Sequence, residues 1–408
     1  MFKKIKKCRS CNSNFLSAIV DLGKQPLANA LIKKKQFKKE IKVPLELVIC
    51  NKCKLVQLNH TVNPKILFRK YLWVTGTSKK VKTYRKFFFE KINKKIKLNQ
   101  KFICEIASND GFFLEYIMKN NEVIGIDPAK NISKIASLKG IKTYTDFFNS
   151  KTADKIIKNY KKKPDLIICR NVIPHIENIQ SVMQGLYKLI SDEGVGAIEF
   201  HNASNLILKK HYDYIYHEHI FYFTLTSLSN VLKKNGLYPF DFFESPISGG
   251  SFVILFKKNK SAKTNRFNLM ITREKKLKIN SVSNWKKLKK VCENHRKKFH
   301  IVLNKFIVSK KISAYGASAR SSTLMNYLNL DSKVIDFVFD INKLKSNLFT
   351  PGTHIKILKP TSTIINKYKS IIILAWNFKE EIIQYLKRIK FKGEIILPLP
   401  KIEKIKFN

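Results

Sequence analysis

The stretch FICEIASNDGFFLEYIMKNNEVIGID, residues 102–127, decides the fold of this 408-residue chain. It begins with five residues typical of a buried β-strand, 102–106, and it ends with a second apolar strand, 123–127. A tight loop, 107–111, follows the first strand, and we expect a helix at 112–119. A strand, a loop, a helix and a strand in this order predict one unit of a parallel, doubly wound α/β sheet.

Two carboxylates mark the ends of these strands. The loop between them has no GxGxxG pattern, which weakens the prediction of a dinucleotide site. Asp127 ends the second strand, where a carboxylate can accept two hydrogen bonds from a ribose diol. Glu105 suits the positively charged end of S-adenosylmethionine, whereas it would repel a pyrophosphate. Each residue alone could equally be a strand cap or a core residue, so the signal is the combination Glu105, Ala107, Gly111, Asp127, Asp146 and Phe147.

The chain is too long for one hydrophobic core, and the strand–loop–helix pattern restarts near its C-terminus. Residues 312–315 predict a strand, 316–320 a loop of small residues and 321–327 a helix. We therefore expect an N-terminal cysteine module, an α/β domain, a helical connecting segment and a Rossmann-like domain. The predicted boundaries of these four parts are 1–77, 78–256, 257–308 and 309–408.

Four cysteines stand in two CxxC pairs, Cys8 with Cys11 and Cys50 with Cys53. This spacing places four thiolates where one tetrahedral Zn²⁺ could bind them all. A redox pair and four unrelated thiols are the alternatives, but short polar loops favour a closed metal site. A zinc ion with four protein ligands has no open position, so we expect it to stabilise the module rather than to catalyse.

The composition restricts the remaining function classes. The formal net charge is +50, but the excess is mostly Lys spread along the whole chain, so we expect no nucleic-acid surface. A shift of surface positions to Lys by AT-rich coding explains it better. No stretch approaches 18 uncharged apolar residues, and Met1-Phe2-Lys3-Lys4 does not resemble the start of a signal peptide. With reduced core thiols as well, we expect a cytoplasmic protein without membrane contact.

The segment HYDYIYHEH, residues 211–219, has the densest set of reactive side chains. Metal ligation and buried structural histidines are two interpretations of it. Acid–base chemistry is the third, because an imidazole near neutral pKa can remove a proton next to a carbonyl group. Such a site must also stabilise the enolate, for which a Tyr hydroxyl is a suitable donor.

These motifs, in this order, resemble the S-adenosylmethionine-dependent C-methyltransferases that act on nucleotide-activated deoxysugars. The resemblance covers nearly the whole chain. The motifs that carry it are the two CxxC pairs and residues 105–111, 216–219, 248–251, 315–319 and 351–355.

The resemblance implies that the middle domain is a class I methyltransferase, with Asn109 and Asn171 added to its cofactor residues. It implies that His219 is the base, assisted by Tyr216 and Glu218, with His217 as a neighbouring candidate. The C-terminal domain would hold the nucleotide of the substrate, in a monomer or homodimer. The substrate-binding residues expected from it are Tyr71, Trp73, Ser251, Gly316, Arg320, Lys345 and His354.

The chain also departs from the family. Trp73 replaces a hydroxylated ring, and Pro174 stands where a small residue is expected, so the particular sugar stays open. Two other functions remain as alternatives. One is an NAD-dependent oxidoreductase or epimerase of nucleotide sugars, although the loop at 316–319 lacks the later glycine. The other is an RNA-binding zinc protein, which rests on the net charge alone.

Overall fold

An antiparallel sheet forms the N-terminal module in the computed structural model, which describes residues 1–68, 75–77, 79–307 and 312–407. Its elements are β1 (Phe2–Lys4), β2 (Leu16–Pro26), β3 (Lys42–Cys50), β4 (Val56–Leu58), β5 (His60–Val62) and α1 (Pro64–Phe68). Strand β3 pairs with both β2 and β4, and β1 pairs with β5. The cysteine pairs lie at the ends of these strands, since Cys50 is the last residue of β3.

The middle domain contains the two strands predicted from residues 102–127. Its elements are α2 (Lys79–Asn93), β6 (Phe102–Ile106), β7 (Glu122–Ile126), α3 (Lys130–Leu138), β8 (Lys142–Tyr144), α4 (Ser150–Tyr160), β9 (Leu166–Arg170), α5 (Ile179–Leu189), β10 (Val195–His201), α6 (Ser204–Leu208), β11 (Phe221–Tyr222), α7 (Leu225–Lys234), β12 (Tyr238–Ser245) and β13 (Ser251–Lys257). The strand order is β12-β13-β10-β9-β6-β7-β8, in which β8, β7, β6, β9 and β10 are parallel. The predicted doubly wound sheet is confirmed.

The helix predicted at residues 112–119 is wrong. The structure has only a short 3-10 turn there, Leu114–Tyr116. Three consecutive side chains, Phe112, Phe113 and Leu114, are buried in one hydrophobic cluster. Three neighbours cannot share one face of an α-helix, so burial of all three favours an irregular turn.

The C-terminal domain follows two helices, α8 (Asn265–Lys276) and α9 (Val282–Ile307). Its elements are β14 (Ile312–Tyr315), α10 (Ala319–Tyr327), β15 (Ile335–Phe339), β16 (Lys356–Leu358), α11 (Ser362–Ile365), β17 (Ser370–Ile373), α12 (Lys379–Arg388), β18 (Gly393–Leu397) and β19 (Glu403–Phe407). The sheet order is β16-β15-β14-β17-β18-β19, parallel except for β19. Among the helices in the described ranges, none is long and apolar enough to cross a membrane.

Residues 211–222, which we call the junction segment, contact all three domains and are buried throughout. At its end, β11 pairs with β4 of the N-terminal module, Phe221 opposite Gln57. From the C-terminal domain, the Thr323 hydroxyl donates to the carbonyl oxygen of Ile215 at 2.9 Å. The junction segment therefore fixes the three domains relative to one another.

An ion pair closes this junction on the C-terminal side. Arg320, at the start of α10, donates from Nε and Nη2 to the two carboxylate oxygens of Asp213, at 2.9 and 3.0 Å. The Asp213 side chain is wholly inaccessible to solvent, and Trp376 Nε1 also donates to it at 2.9 Å. A two-pronged guanidinium–carboxylate contact fixes orientation as well as distance.

We expect Arg320→Ala to lower the free energy of unfolding by about 3–5 kcal/mol, because it leaves the Asp213 carboxylate buried without a counter-charge. Equilibrium denaturation in urea measures the loss. In the double variant Arg320→Met with Asp213→Asn the buried charge is absent while an acceptor for Trp376 remains, so most of the stability should return. A double variant as unstable as the single one would contradict this account.

Candidate active site and metal centre

The four predicted cysteine ligands come together in the N-terminal module. Their sulfur atoms all lie within 4.8 Å of one another, and the pairs Cys8–Cys53 and Cys11–Cys50 are 3.6 and 3.5 Å apart. Zn–S bonds of about 2.3 Å in a tetrahedron require sulfur separations of about 3.8 Å. The residues therefore fit one Zn²⁺ with four thiolate ligands.

A hydrogen bond connects this metal centre to the junction segment. Gln57, on β4, donates from Nε2 to the Cys8 sulfur at 3.2 Å. Hydrogen bonds to the Cys8 thiolate, first from the Cys53 side chain, then from the Cys11 backbone and from Gln57, outweigh burial and lower the Cys8 pKa to about 4. Because Gln57 lies opposite Phe221 in the sheet, the same strand contacts both the metal centre and the residues that follow His219.

The loop at the end of β6 has the backbone shape of a ligand-binding loop. Ala107, Asn109 and Gly111 all have positive φ, of 55°, 53° and 69°. A side chain on Gly111 would come within 2.4 Å of Ile141, so the position requires glycine. The Asn109 side chain accepts hydrogen bonds from the amide and hydroxyl of Thr75, at 2.9 and 3.0 Å.

Asp127 organises the same loop from the end of β7. Its two oxygens accept the backbone N–H groups of Asn109 and Ala129, both at 2.9 Å. Burial raises the pKa of Asp127, and these two amides oppose that shift. Beside it, just after β8, Asp146 and Phe147 are exposed. A carboxylate with remaining lone pairs next to an open aromatic face fits the ribose and adenine of S-adenosylmethionine.

Glu105 has a partner that the sequence did not predict. Its buried carboxylate accepts from Arg170 Nε at 2.7 Å, and the guanidinium lies 3.3 Å from the centre of the Phe113 ring. Burial raises the Glu105 pKa to about 7, although Arg170 opposes this. At the next residue, Asn171 has φ of 51°, and its buried Oδ1 has no hydrogen-bond partner among the described residues. Arg170 reaches Glu105 because it is the last residue of β9, which pairs with β6 in the sheet.

Tyr216 and His219 form a hydrogen-bonded pair in the junction segment. The Tyr216 hydroxyl lies 2.7 Å from His219 Nε2, and His219 Nδ1 lies 3.0 Å from the carbonyl oxygen of Tyr214. A carbonyl oxygen only accepts, so Nδ1 carries the hydrogen and Nε2 accepts from the hydroxyl. Burial and the nearby His175 hold the His219 pKa well below its usual range. The pair thus consists of a neutral imidazole whose unprotonated nitrogen, Nε2, accepts a hydrogen bond from the Tyr216 phenol.

His175 is a further imidazole of this site. Its Nδ1 lies 2.7 Å from the carbonyl oxygen of Glu218, and its ring centre is 4.8 Å from that of His219. Burial lowers the His175 pKa to about 4. No sequence motif singles out His175, since it lies on a separate loop after β9.

The structure separates the other two polar residues of the motif. Asn29, from the N-terminal module, donates from Nδ2 toward both oxygens of Glu218, at 2.7 and 2.8 Å. Burial raises the Glu218 pKa to about 7, against the effect of Asn29. His217 instead bonds the carbonyl oxygen of Val43 at 3.1 Å, on the N-terminal module. His217 is therefore not brought to the Tyr216–His219 pair.

The predicted substrate residues are spread over several contacts. Gly316 has φ of 100°, and a side chain there would lie 2.3 Å from Ala375. Lys345 donates to the Ala317 carbonyl oxygen at 2.8 Å, whereas the buried Ser251 hydroxyl donates to the carbonyl oxygen of Ile247 at 3.2 Å.

Two basic substrate candidates have protein partners. Arg320 bonds Asp213, and His354 lies 3.0 Å from Glu40 and stacks on Phe37 at 4.0 Å, against the N-terminal module. Tyr71 and Trp73 lie outside the described residues.

Asp340 in the C-terminal domain repeats the arrangement of Asp127. It follows β15, the second strand of its unit, and accepts the backbone N–H groups of Ala317 and Asn342, both at 2.9 Å. In each unit the carboxylate bonds one amide of the loop after the first strand and one amide two residues further on. Sequence patterns alone did not single out Asp340, although its place at the strand end matches that of Asp127.

Three protein families match successive parts of the chain. A zinc binding domain matches residues 8–68, a methyltransferase domain matches residues 77–239, and a C-methyltransferase C-terminal domain matches residues 246–400. The chain is 26% identical over 405 residues to the C-methyltransferase NovU of Streptomyces niveus, covering 98% of this chain and 96% of NovU.

Solved methyltransferase structures give weaker similarities. Magnesium protoporphyrin IX methyltransferase of Synechocystis PCC 6803, with bound S-adenosylmethionine, is 12% identical, with a TM-score of 0.34 over 44% of this chain and 80% of that chain. The plantazolicin methyltransferase BpumL is 17% identical, with a TM-score of 0.33 over 43% and 83% of the two chains.

For the metal centre, we expect about one Zn²⁺ per chain. Cys8→Ser should lower both metal content and unfolding temperature, because metal binding supplies folding free energy to the small module. Elemental analysis and thermal unfolding measure the two effects. Cys292→Ala, in α9, is the control and should keep its zinc. A native protein without metal whose four module thiols all react freely would contradict the assignment.

For the cofactor site, we expect Asp127→Ala to weaken binding of S-adenosylmethionine at least tenfold. Hydrogen bonds to a charged group contribute about 1.5–3 kcal/mol each, and 1.4 kcal/mol is tenfold in affinity. Calorimetric titration measures the change. Asp165→Ala is the matched control, because Asp165 accepts the Phe102 amide at 2.9 Å at the opposite end of β6. Equal affinities in both folded variants would place the ribose site elsewhere.

Proposed function

We propose that this chain, an S-adenosylmethionine-dependent C-methyltransferase with an N-terminal zinc-binding module, acts on a nucleotide-linked keto-deoxysugar. The three matching families, in order along the chain, identify methyl transfer rather than hydride transfer or RNA binding. The observation that carries the proposal is the Tyr216–His219 pair, whose hydroxyl and Nε2 are 2.7 Å apart. The carbon next to a ketone becomes nucleophilic when it loses a proton, so such an enzyme needs a side chain in its base form close to that carbon.

In the proposed reaction, His219 takes the proton from the carbon next to the ketone through Tyr216. The Tyr216 oxygen accepts the carbon-bound proton as its own proton passes to His219 Nε2. The products are the enolate, a neutral phenol and an imidazolium. Since the Tyr214 carbonyl oxygen holds Nδ1–H, the imidazole keeps its orientation during the transfer.

The low pKa of His219 ensures that the base form is present at neutral pH, but it also makes the imidazole a weak base. The site must therefore lower the energy of the enolate. A hydroxyl donor in a site that excludes water stabilises an enolate. Tyr216 is such a donor, since it is only 9% exposed. When bound, S-adenosylmethionine supplies an electrophilic methyl group for the nucleophilic carbon.

The C-terminal domain is proposed to hold the nucleotide. The support is Asp340, which has the same two amide contacts as Asp127 and so offers a second carboxylate suited to a ribose diol. Arg320 and Lys345 give less support, because each already bonds a carboxylate, Asp213 and Asp340 respectively. The carboxyl ends of parallel strands are where ligands bind in sheets of this type.

We expect His219→Ala to reduce turnover about 10²–10⁴-fold, the range for a removed general base, while both ligands still bind. The decisive measurement is exchange of the substrate's acidic proton with solvent deuterium, which requires no methyl transfer. His219→Ala should abolish this exchange, and Tyr216→Phe should reduce it because the proton path is broken.

His217→Phe is the matched control, since His217 bonds Val43 on the N-terminal module rather than Tyr216. It should keep the exchange. Exchange that persists in His219→Ala but disappears in Tyr216→Phe would assign the base to Tyr216. A folded His219→Ala protein with normal turnover would reject acid–base catalysis by this pair.

A further inference from the structure

Two buried histidines next to the proposed active site lack hydrogen-bond partners. Among the described residues, neither ring nitrogen of His201 has a partner, and the same is true of Nδ1 of His211. Their side chains belong to residues that are only 4% and 2% exposed. Leaving a buried ring nitrogen unpaired costs free energy, and a bound group that forms a hydrogen bond with it would remove that cost.

These histidines lie between the middle and C-terminal domains. His201 ends β10, at the carboxyl edge of the middle sheet. His211 begins the junction segment and packs on Trp376, which follows β17, with ring centres 4.6 Å apart. Gly249 completes the cluster, since a carbon added to it would lie 3.5 Å from Trp376 and 3.7 Å from His211.

Ring contacts through Tyr214 connect this cluster to the proposed base. The His201 ring stacks on Tyr214 with ring centres 3.7 Å apart, and the His219 ring lies tilted against Tyr214 at 4.2 Å. His201 and His219 are thus one aromatic ring apart. A sugar ring whose reacting carbon faces Tyr216 and His219 would extend its other substituents toward His201 and His211.

The chemistry of the cluster favours hydroxyl groups over phosphate. Burial and the Arg320 charge hold the His201 pKa well below its usual range, and burial lowers that of His211 to about 4. A neutral imidazole has one donor and one acceptor, which matches a hydroxyl group, whereas a phosphate offers acceptors only. The Arg320 guanidinium already donates to Asp213, so it is not a free cation for a phosphate group.

We propose that His201 and His211 form a subsite that binds hydroxyl groups of the acceptor's sugar ring, with Trp376 as the wall on the C-terminal side. This inference rests on the proposed nucleotide-sugar substrate and adds the residues that recognise the sugar itself. The subsite determines which sugars are accepted, because a missing hydroxyl leaves a buried nitrogen unpaired.

The test uses the full-length protein and four probes: uridine diphosphate, thymidine diphosphate, and the glucose conjugate of each. The variants His201→Phe and His211→Phe keep a ring but remove the nitrogens. For the nucleotide that binds, each variant should bind the glucose conjugate about tenfold more weakly and bind the free diphosphate as the wild type does. Unfolding temperatures without ligand should be unchanged or higher, because an unpaired buried polar group has been removed.

His295→Phe is the matched control. His295 is a buried histidine with both nitrogens near partners, the Tyr212 hydroxyl and the Pro398 carbonyl oxygen, each at 2.7 Å. It should lose thermal stability and bind the conjugate normally.

Normal conjugate binding by both His201→Phe and His211→Phe would overturn the subsite, as would a wild type that binds conjugate and diphosphate equally. A wild type that binds none of the four probes would instead reject the nucleotide-sugar substrate, and this inference with it.

Discussion

The arrangement of this protein depends on one buried stretch of backbone, the junction segment 211–222. Buried N–H and C=O groups need partners, and this segment obtains them from three domains. Strand β4 of the N-terminal module pairs with the segment at Phe221, and Thr323 of the C-terminal domain donates a hydrogen bond to the carbonyl oxygen of Ile215. Within the segment, His219 bonds the carbonyl oxygen of Tyr214. Domain orientation and the position of the proposed base therefore both depend on hydrogen bonds of this one segment.

Three buried carboxylates in and near this segment each accept hydrogen bonds from a specific side chain. Asp213 has the bidentate Arg320, Glu105 has Arg170, and Glu218 has the amide of Asn29. Pairs of this kind add little stability overall, since desolvation offsets their attraction, but losing one partner is costly. They therefore fix geometry rather than increase stability.

The sequence predicted what lies within one element or one short loop. The strands of residues 102–127, the position of Asp127 and the four cysteines follow from local patterns of burial, turns and spacing. It could not predict partners that only packing brings together, such as Asn29 with Glu218, which are 189 residues apart. Asp340 was within reach, because it occupies the same strand end as Asp127. The helix at 112–119 failed because tertiary burial of adjacent aromatic residues overrode local preference.

The ion pair between Asp213 and Arg320 also limits the order in which the domains can dock while the chain is synthesised. Its two halves are separated by 107 residues of chain, and the cysteine module is made long before either. On the ribosome, the N-terminal module and the middle sheet can form before Arg320, the counter-charge of Asp213, has been synthesised. The Tyr216–His219 pair, which we propose as the base, therefore lies in a junction that is complete only after the C-terminal domain has been made. A fragment that ends before α10 would lack Arg320 and Thr323, the partners of the junction segment in that domain.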